Sequence, residues 1–224
     1  MSEIDLPQIS WDEVNIETIA GKISDGLCGP GYAILDGFVK PEDVLCIREH
    51  MDKLYREGDF KEAGIGAVHQ YQVNQSIRKD WIHWINPNQP DISTGLFIHQ
   101  LRRLMEILNR ICFLGLKDFE MHYAMYPAGA FYKRHLDQFK VSDHRRLTFI
   151  CYLNSGWQIS DGGLLRMFLN NKEGGETPYP VAPVAGRLVF FRSDQIEHEV
   201  MVCQRQRYSI TGWMLDQLNE LTFL

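Results

Sequence analysis

The spacing of apolar residues divides the chain into a helical first half and a strand-rich second half. Before about residue 116, apolar side chains recur at the spacing of a helix with one buried face. Ser10 is a suitable N-terminal cap for a helix that begins at Trp11, and Pro41 stands at the favoured first position of a second helix. Helices are therefore predicted over residues 11–26, 41–58 and 91–114, and short strands over 32–35 and 80–85.

From Lys117 onward, β-branched and aromatic runs alternate with turns rich in Gly, Pro, Asn and Asp. These runs predict strands over residues 118–126, 131–139, 146–153, 163–169, 187–192, 198–203 and 207–215. Many short strands after a block of helices favour a double-stranded β-helix, a cupin-like member of the jelly-roll barrels. The predicted fold class is α+β, mainly β. We expect one domain over 1–224, in which helical support over 1–116 buttresses a barrel core over about 117–215.

The residues best suited to chemistry lie in the predicted strand 131–139. His135 and Asp137 are two positions apart there, and side chains at i and i+2 of a strand point to the same face. His198, in a later strand, can supply a third ligand. Two histidines and one carboxylate form the facial triad that holds non-heme Fe(II) and leaves coordination positions open. The alternative is that both histidines are ordinary hydrogen-bonded residues inside a β-sandwich.

Arg207 follows His198 by nine residues and lies in the last predicted strand. If the two strands are neighbours, its guanidinium can reach the back of the same pocket. A planar guanidinium binds a carboxylate through two parallel hydrogen bonds. Iron at one end of a pocket and arginine at the other describe a site for 2-oxoglutarate. The alternative is that Arg207 is a solvated strand residue.

Composition and charge narrow the function further. The formal net charge is −6, which argues against nucleic acid as the main partner because such partners favour a basic face. The five cysteines are scattered and contain no Cys-x-x-Cys pair, so we expect free thiols in a reducing compartment. The N-terminus lacks the apolar segment of a signal peptide, and no apolar run reaches about 20 residues. We therefore expect a cytoplasmic protein without membrane or nucleic-acid partners.

Several segments resemble the 2-oxoglutarate-dependent prolyl hydroxylases of the oxygen-sensing type and their bacterial relatives. The resemblance covers residues 77–215 and is densest after Glu120. It rests on residues 125–137, 152–154, 161–168, 186–191 and 207–213. It implies an Fe(II) centre at His135, Asp137 and His198, with 2-oxoglutarate and O2 as cosubstrates and ascorbate as a candidate reductant.

The same resemblance implies roles for further residues. Tyr152 matches a tyrosine that adds a hydroxyl to the distal carboxylate of 2-oxoglutarate, and Tyr126 matches one near the metal-bound carboxylate. Thr211, four positions after the predicted arginine on the same strand face, is expected to contribute as well. Arg145 and Trp213 match residues that line the entrance for the target proline.

Residues 59–77 are rich in Gly, Gln and Asn and lack periodicity, which predicts an irregular loop. In the resembled family this region closes over the substrate peptide. Arg78 and Asp80 match family positions, and we expect them either to contact substrate or to pair with each other and hold the loop. The histidines outside the triad are expected to be surface or hydrogen-bonded residues, although His122 shares the strand that precedes the motif.

The resulting hypothesis is an Fe(II)/2-oxoglutarate dioxygenase that hydroxylates a prolyl residue of a protein and releases succinate and CO2. The bacterial resemblance suggests a cytosolic target such as elongation factor Tu. Only nine residues follow Leu215, so the longer C-terminal helix with which animal members hold substrate is expected to be shortened or absent. Two alternatives remain: hydroxylation of a free amino acid or other small molecule, and a non-catalytic barrel that binds metal or ligand.

Overall fold

The computed structural model describes residues 16–64, 72–138, 144–171 and 173–218. Within these ranges the helices are α1 (Ile16–Cys28), α2 (Pro41–Glu57) and α3 (Gly95–Cys112). The strands are β1 (Tyr32–Leu35), β2 (Lys61–Glu62), β3 (Trp81–Ile85), β4 (Asp118–Tyr126), β5 (Tyr132–His135), β6 (Arg145–Tyr152), β7 (Leu165–Asn170), β8 (Glu176–Val181), β9 (Leu188–Arg192), β10 (Glu197–Val200) and β11 (Arg207–Leu215). None of the described helices is long and apolar enough to cross a membrane.

Helix α2 begins and ends where its sequence predicts. Pro41 occupies the first turn, where its missing N–H leaves no hydrogen bond unmade. Gly58 ends the helix with a φ of 86°, a left-handed conformation that is unstrained only for a residue without a Cβ. The start predicted for α1, at Ser10 and Trp11, lies outside the described residues.

Helix α3 begins at Gly95, which is four residues later than predicted. The carboxylate of Asp91 accepts hydrogen bonds from the backbone N–H groups of Ser93 (2.9 Å) and Thr94 (3.2 Å). These bonds hold a turn in place of the first helical residues, because an aspartate side chain competes with the helical backbone for the same donors. The prediction that Asp91 begins the helix was therefore wrong.

Two antiparallel sheets face each other. The larger sheet has the strand order β1-β9-β6-β11-β4-β3-β2, and the smaller sheet has the order β5-β10-β7-β8. This arrangement is the predicted double-stranded β-helix. The strands β1, β2 and β3, from the helical half of the chain, join the larger sheet.

The two faces of the larger sheet have different partners. On one face, alternate residues of β4, β6, β9 and β11 form one apolar cluster with the three helices. The residues between them point toward the smaller sheet: Ile150 and Tyr152 of β6, for example, belong to one buried cluster with Leu165 and Met167 of β7. Because the faces alternate, every second residue of β4, β6 and β11 faces the interior of the barrel.

Strand β8 was not predicted, because Pro178 and Pro180 interrupt its sequence. Proline cannot donate a hydrogen bond to a neighbouring strand, so it is confined to positions where no partner needs one. β8 lies at the edge of the smaller sheet and pairs only with β7 among the described strands. The edge position explains how two prolines fit within one strand.

Strand β5 is shorter than the predicted strand 131–139. It ends at His135, and Asp137 lies in the bend that follows. Residue 139 lies outside the described residues. The two-residue strand β2 lies inside the predicted loop 59–77, of which residues 65–71 are likewise outside the described part.

Candidate metal centre and adjoining pocket

His135, Asp137 and His198 lie together in the interior of the barrel. One ligand atom from each residue lies within 4.8 Å of the others. Asp137 Oδ1 is 3.6 Å from Nε2 of His135, and Asp137 Oδ2 is 3.5 Å from Nε2 of His198. The two histidines meet because they are directly opposite each other in the β5–β10 pair.

Hydrogen bonds to the backbone fix which nitrogen of each imidazole faces the carboxylate. Nδ1 of His135 donates to the carbonyl of Lys133 (2.7 Å), and Nδ1 of His198 donates to the carbonyl of Ile196 (3.1 Å). A carbonyl can only accept, so the proton of each neutral ring resides on Nδ1. Nε2 of both rings is then left with a lone pair, as a metal ligand requires.

The protonation states of the cluster suit a divalent cation. Burial would raise the pKa of Asp137, but His198, His135 and Arg145 lower it well below its usual range. Burial lowers the pKa of His198 to about 4, although Asp137 opposes the shift. At neutral pH the cluster therefore offers a carboxylate and a neutral imidazole, the forms that bind a metal. This donor set fits Fe(II) with open coordination positions.

Aromatic contacts hold both imidazoles in place. The ring of Tyr132 stacks on His135, with centroids 3.6 Å apart and an interplanar angle of 16°. The guanidinium of Arg78 lies on Tyr132, 4.2 Å from its centroid. Phe191 meets His198 edge-on at 4.7 Å. These contacts restrict the rotation of both rings about their side-chain bonds.

Arg207 is a buried cation in the same interior. Its residue is 1% exposed, and it makes no ion pair with any residue in the described part of the chain. Its guanidinium carbon lies 4.9 Å from the ring centroids of both Tyr126 and Tyr152. Tyr126 is its direct neighbour across the β4–β11 pair.

Two buried hydrogen-bond donors lie close together here, one on Arg207 and one on Tyr152. Nε of Arg207 and the hydroxyl of Tyr152 are buried without a partner in hydrogen-bonding geometry among the described residues. Burial raises the pKa of Tyr152, although Arg207 opposes the shift, so the phenol keeps its proton. A buried charge without a partner is strongly unfavourable. A guanidinium beside a phenolic O–H fits one carboxylate of 2-oxoglutarate.

Thr211 and Tyr126, which are also predicted to contact 2-oxoglutarate, lie on the same face of the larger sheet as Arg207. Thr211 shares the interior face of β11 with Arg207, and its hydroxyl is 3.4 Å from the hydroxyl of Ser209, which stands between them on that face. Tyr126 is buried on β4, and its pKa is raised well above the usual value, mainly by burial. The face thus carries a row of polar groups that begins at the buried arginine.

Arg145 and Trp213 pack against each other and, with Trp84, form a patch that we call the aromatic wall. The guanidinium of Arg145 lies 3.5 Å from the centroid of the Trp213 ring. Its charge is matched by Glu120, with 2.6 Å between Nη2 and Oε1. Trp213 also lies beside Trp84, with centroids 6.3 Å apart. The wall is therefore aromatic and electrically neutral.

Arg78 and Asp80 bind each other. Nε of Arg78 donates to Oδ1 of Asp80 (2.8 Å), and Nη2 donates to Oδ2 (2.5 Å). Nη1 of Arg78 donates to the carbonyl of Gly64 (3.2 Å). Burial lowers the pKa of Arg78, but Asp80 outweighs it and raises the pKa overall. This fork-like pair favours the alternative in which the two residues hold the loop.

Three interior residues were not predicted as part of the site. His122 is buried between Trp84 (5.0 Å) and Trp213 (5.5 Å), on the interior face of β4. Thr148 and Ser193 are buried beside Asp137. His122 and Thr148 each stand four positions from a predicted site residue on the same strand, so strand alternation could have found both. Ser193 follows β9 and carries no comparable signal.

The comparisons with known proteins agree with this geometry. The family model described as the 2OG-Fe(II) oxygenase superfamily matches residues 121–215. A hypoxia-inducible factor prolyl hydroxylase of Caenorhabditis elegans is 31% identical over 198 residues. That match covers 84% of this chain, but the chain spans only 27% of the length of the C. elegans protein.

Solved structures extend the similarity over most of the chain. A prolyl-4-hydroxylase of Pseudomonas putida is 37% identical, with a TM-score of 0.78 and coverage of 89% of this chain and 100% of the other. A Trichoplax adhaerens prolyl hydroxylase, solved with a peptide fragment of hypoxia inducible factor, is 26% identical with a TM-score of 0.80. That match covers 93% of this chain and 94% of the other. The chain belongs to the prolyl hydroxylase family of the 2OG-Fe(II) oxygenase superfamily, whose members use Fe(II), 2-oxoglutarate and O2.

Proposed function

We propose that this protein is an Fe(II)- and 2-oxoglutarate-dependent dioxygenase that hydroxylates a prolyl residue of a protein or peptide. The observation that carries the proposal is the buried guanidinium of Arg207, which has no anionic partner among the described residues and shares the barrel interior with the His–Asp–His cluster. A purely structural role does not account for an unpaired buried cation, because such a charge destabilises the folded protein. A carboxylate of a bound dianionic cosubstrate would supply the missing partner of Arg207 and remove that penalty.

Each residue has a role in this proposal. His135, Asp137 and His198 ligate the metal, and Arg207 and Tyr152 bind the distal carboxylate of 2-oxoglutarate. Tyr126 would lie near the metal-binding end of that cosubstrate, and Thr211 would contact it from the β11 face. When bound, Fe(II), 2-oxoglutarate and O2 supply the oxidative chemistry, and the products are succinate, CO2 and the hydroxylated substrate. The protein orients these groups and excludes water.

The composition of the aromatic wall supports the neutral ring of a prolyl residue as the target. Trp84 and Trp213 present aromatic surface, and Glu120 neutralises Arg145, so the wall offers no free charge. The Trichoplax relative was solved with a peptide. We therefore assign Arg145 and Trp213 to the substrate entrance. Arg78 and Asp80 act on substrate through the position of their loop.

The proposal also includes the domain organisation of the enzyme, its compartment, its reductant and its candidate substrate. The chain acts as a single domain over 1–224 in the cytoplasm, and ascorbate serves as a reductant that keeps the iron ferrous. A cytosolic protein such as elongation factor Tu is the candidate substrate. The acidic balance of the chain supports a protein partner rather than nucleic acid.

Succinate formation tests the enzymatic part of the proposal. We expect succinate to form from 2-oxoglutarate only when Fe(II) is present, and His135→Ala to abolish it. The exposed His99 provides the control, because His99→Gln removes an imidazole that lies outside the cluster. A wild-type protein that binds iron and 2-oxoglutarate but forms no succinate would indicate the non-catalytic barrel.

Mass spectrometry tests the substrate class. Candidate proteins incubated with the enzyme are expected to gain one oxygen atom on a proline, and the gain should vanish in His135→Ala. Oxygen gain on free amino acids or other small molecules, with none on proteins, would establish the alternative hydroxylase.

A further inference from the structure

The carboxylate of Asp137 is held by a chain of two hydroxyl groups. Oγ1 of Thr148, on β6, lies 2.8 Å from Oδ2 of Asp137. Oγ of Ser193, which follows β9, lies 2.9 Å from Oγ1 of Thr148. Both hydroxyl residues are fully buried. The three side chains come from separate parts of the chain and meet at one oxygen of the predicted metal ligand.

The chemistry of the three groups fixes the direction of this chain. A carboxylate that ligates a metal is ionised, and an ionised carboxylate only accepts hydrogen bonds. Thr148 has one hydroxyl proton, and it must donate that proton to Asp137. Ser193 must then donate to Thr148. The hydrogen bonds in such an ordered chain polarise one another, so each is stronger than an isolated hydrogen bond.

Backbone hydrogen bonds hold the same region. The carbonyl of Ser193 accepts from the N–H of Gln138 (3.2 Å), and the N–H of Ser193 donates to the carbonyl of Arg146 (3.2 Å). Nη1 of Arg145 approaches the carbonyl of Asp137 (3.4 Å). These contacts matter because Asp137 lies beyond the end of β5, so no neighbouring strand fixes its direction.

We propose that Thr148 and Ser193 are positioning residues that hold the Asp137 carboxylate for ligation of the metal through one oxygen. The inference rests on the proposed role of Asp137 as a metal ligand. A hydroxyl donor occupies Oδ2 and reduces its share in metal binding. Oδ1 then serves as the principal ligand atom, and the remaining coordination positions stay open. Partners of this kind orient metal ligands in many proteins.

The test uses Co(II), whose visible absorption reports coordination number and geometry, in place of Fe(II) and without turnover. Thr148→Val removes the hydroxyl and keeps the shape of the side chain. We expect about a 10- to 100-fold loss of Co(II) affinity and a changed Co(II) spectrum. Thr148→Ser restores the donor, so it should return both readouts to near wild-type values. Ser193→Ala should have a smaller effect, and little further effect in the Thr148→Val background, because the groups act as a unit.

Thr94→Val is the matched control. Thr94 is a fully buried threonine whose hydroxyl donates to Asp91 Oδ2 (2.5 Å), which is not one of the predicted metal ligands. Its replacement breaks the same kind of hydrogen bond, so it should lower stability but leave the Co(II) spectrum unchanged. If Thr148→Val fails to fold, Ser193→Ala decides the question by the same readouts.

The inference is overturned if Thr148→Val and Ser193→Ala keep the wild-type Co(II) spectrum and affinity, or if Thr148→Ser behaves like Thr148→Val. It is also overturned if wild-type protein does not bind Co(II), or if His135→Ala binds Co(II) as tightly as wild type does. If the Co(II) results are as expected but no succinate forms from 2-oxoglutarate with Fe(II), the proposed function fails and the inference about Asp137 stands.

Discussion

Arg207 is the residue whose replacement separates cosubstrate binding from metal binding. Its guanidinium is buried and has no anionic partner in the described part of the chain. Arg207→Ala leaves a bound carboxylate unpaired, so we expect 2-oxoglutarate binding to weaken by about 2–5 kcal/mol, or roughly 30-fold or more. Affinity for Mn(II), which replaces Fe(II) to prevent turnover, should stay within about threefold. Isothermal titration of each ligand measures both quantities.

Two further variants sharpen the Arg207 experiment. Arg207→Lys keeps the charge but loses the planar fork, so its affinity should fall between wild type and alanine. The half-exposed Arg205, two positions earlier, pairs with Asp161 (3.5 Å), and Arg205→Ala should bind 2-oxoglutarate as wild type does. Equal loss of metal and cosubstrate affinity in Arg207→Ala would contradict the assignment.

His122 is expected to make the stability of the protein depend on pH. Burial and the charge of Arg78 lower its pKa to about 3, from about 6.5 in an unfolded chain. Between these pH values the unfolded chain binds one more proton, so stability falls as the pH falls. The contribution of this residue should decrease by about 2 kcal/mol between pH 8 and pH 5.

His122→Phe tests this expectation, because it keeps an aromatic ring between Trp84 and Trp213 and removes the titrating nitrogens. The free energy of unfolding, measured with urea at pH 8 and pH 5, should fall by about 2 kcal/mol less in the variant than in wild type. His99→Gln, at the surface, should retain the wild-type difference. A variant with the full wild-type pH dependence would show that His122 is not the group responsible.

At the scale of elements, alternation along the strands predicted most of the barrel. β4 and β11 begin and end where the sequence predicts, because both lie inside the larger sheet and one face of each packs against the helices. Alternation also predicted that Thr211 shares a strand face with Arg207, as observed, whereas Tyr126 was identified through the family resemblance. β8 was not predicted, because its two prolines argue against a strand. They are tolerated since β8 lies at the edge of its sheet, where a strand accepts prolines that a central strand excludes.

Asp137 shows why the remainder of the site could not be predicted. The sequence argument placed it on a strand with His135, but β5 ends at His135. The two residues still converge, because the β5–β10 pair brings His135 to His198 while Thr148 and Ser193 hold the carboxylate. These hydroxyl contacts join residues 11 and 45 positions apart, and no local pattern specifies such a pairing.

Gly212 is required by the close packing of β11 in the larger sheet. A Cβ at this position would lie 2.4 Å from the carbonyl oxygen of Glu120 and 2.4 Å from the ring of Phe149. Both neighbours belong to strands paired with β11 and cannot move apart without disrupting the sheet. We therefore expect Gly212→Ala to lower the free energy of unfolding by about 2–3 kcal/mol, as measured by urea denaturation.

Gly21 supplies the matched control. It lies within α1, and a Cβ there would meet no atom within 4 Å. Gly21→Ala should raise the free energy of unfolding by about 0.5–1 kcal/mol, because alanine loses less conformational freedom in a helix than glycine does. A Gly212→Ala protein as stable as wild type would contradict the tight packing of β11.

At the scale of the whole molecule, the helices and the larger sheet share one apolar core. Residues of α1, α2 and α3 belong to the same buried cluster as those of β4, β6, β9 and β11. Polar contacts reinforce this core. The guanidinium of Arg48, on α2, lies 3.6 Å from the ring centroid of Tyr208 on β11, and its Nη1 donates to the carbonyl of Leu153 (3.1 Å). The hydroxyl of Tyr208 donates to Asp52 on α2 (2.8 Å).

This shared core predicts that the chain unfolds as one cooperative unit. Far-ultraviolet circular dichroism follows the helices, and tryptophan fluorescence reports chiefly on the barrel, through residues such as Trp84 and Trp213. In urea with a chelator present, the two signals should give the same midpoint and slope. Arg48→Ala should shift both midpoints together, with a loss of about 1–3 kcal/mol. If the helical signal were lost at a lower urea concentration than the fluorescence, the helices would form a separate unit, and the proposal of a single domain over 1–224 would be wrong.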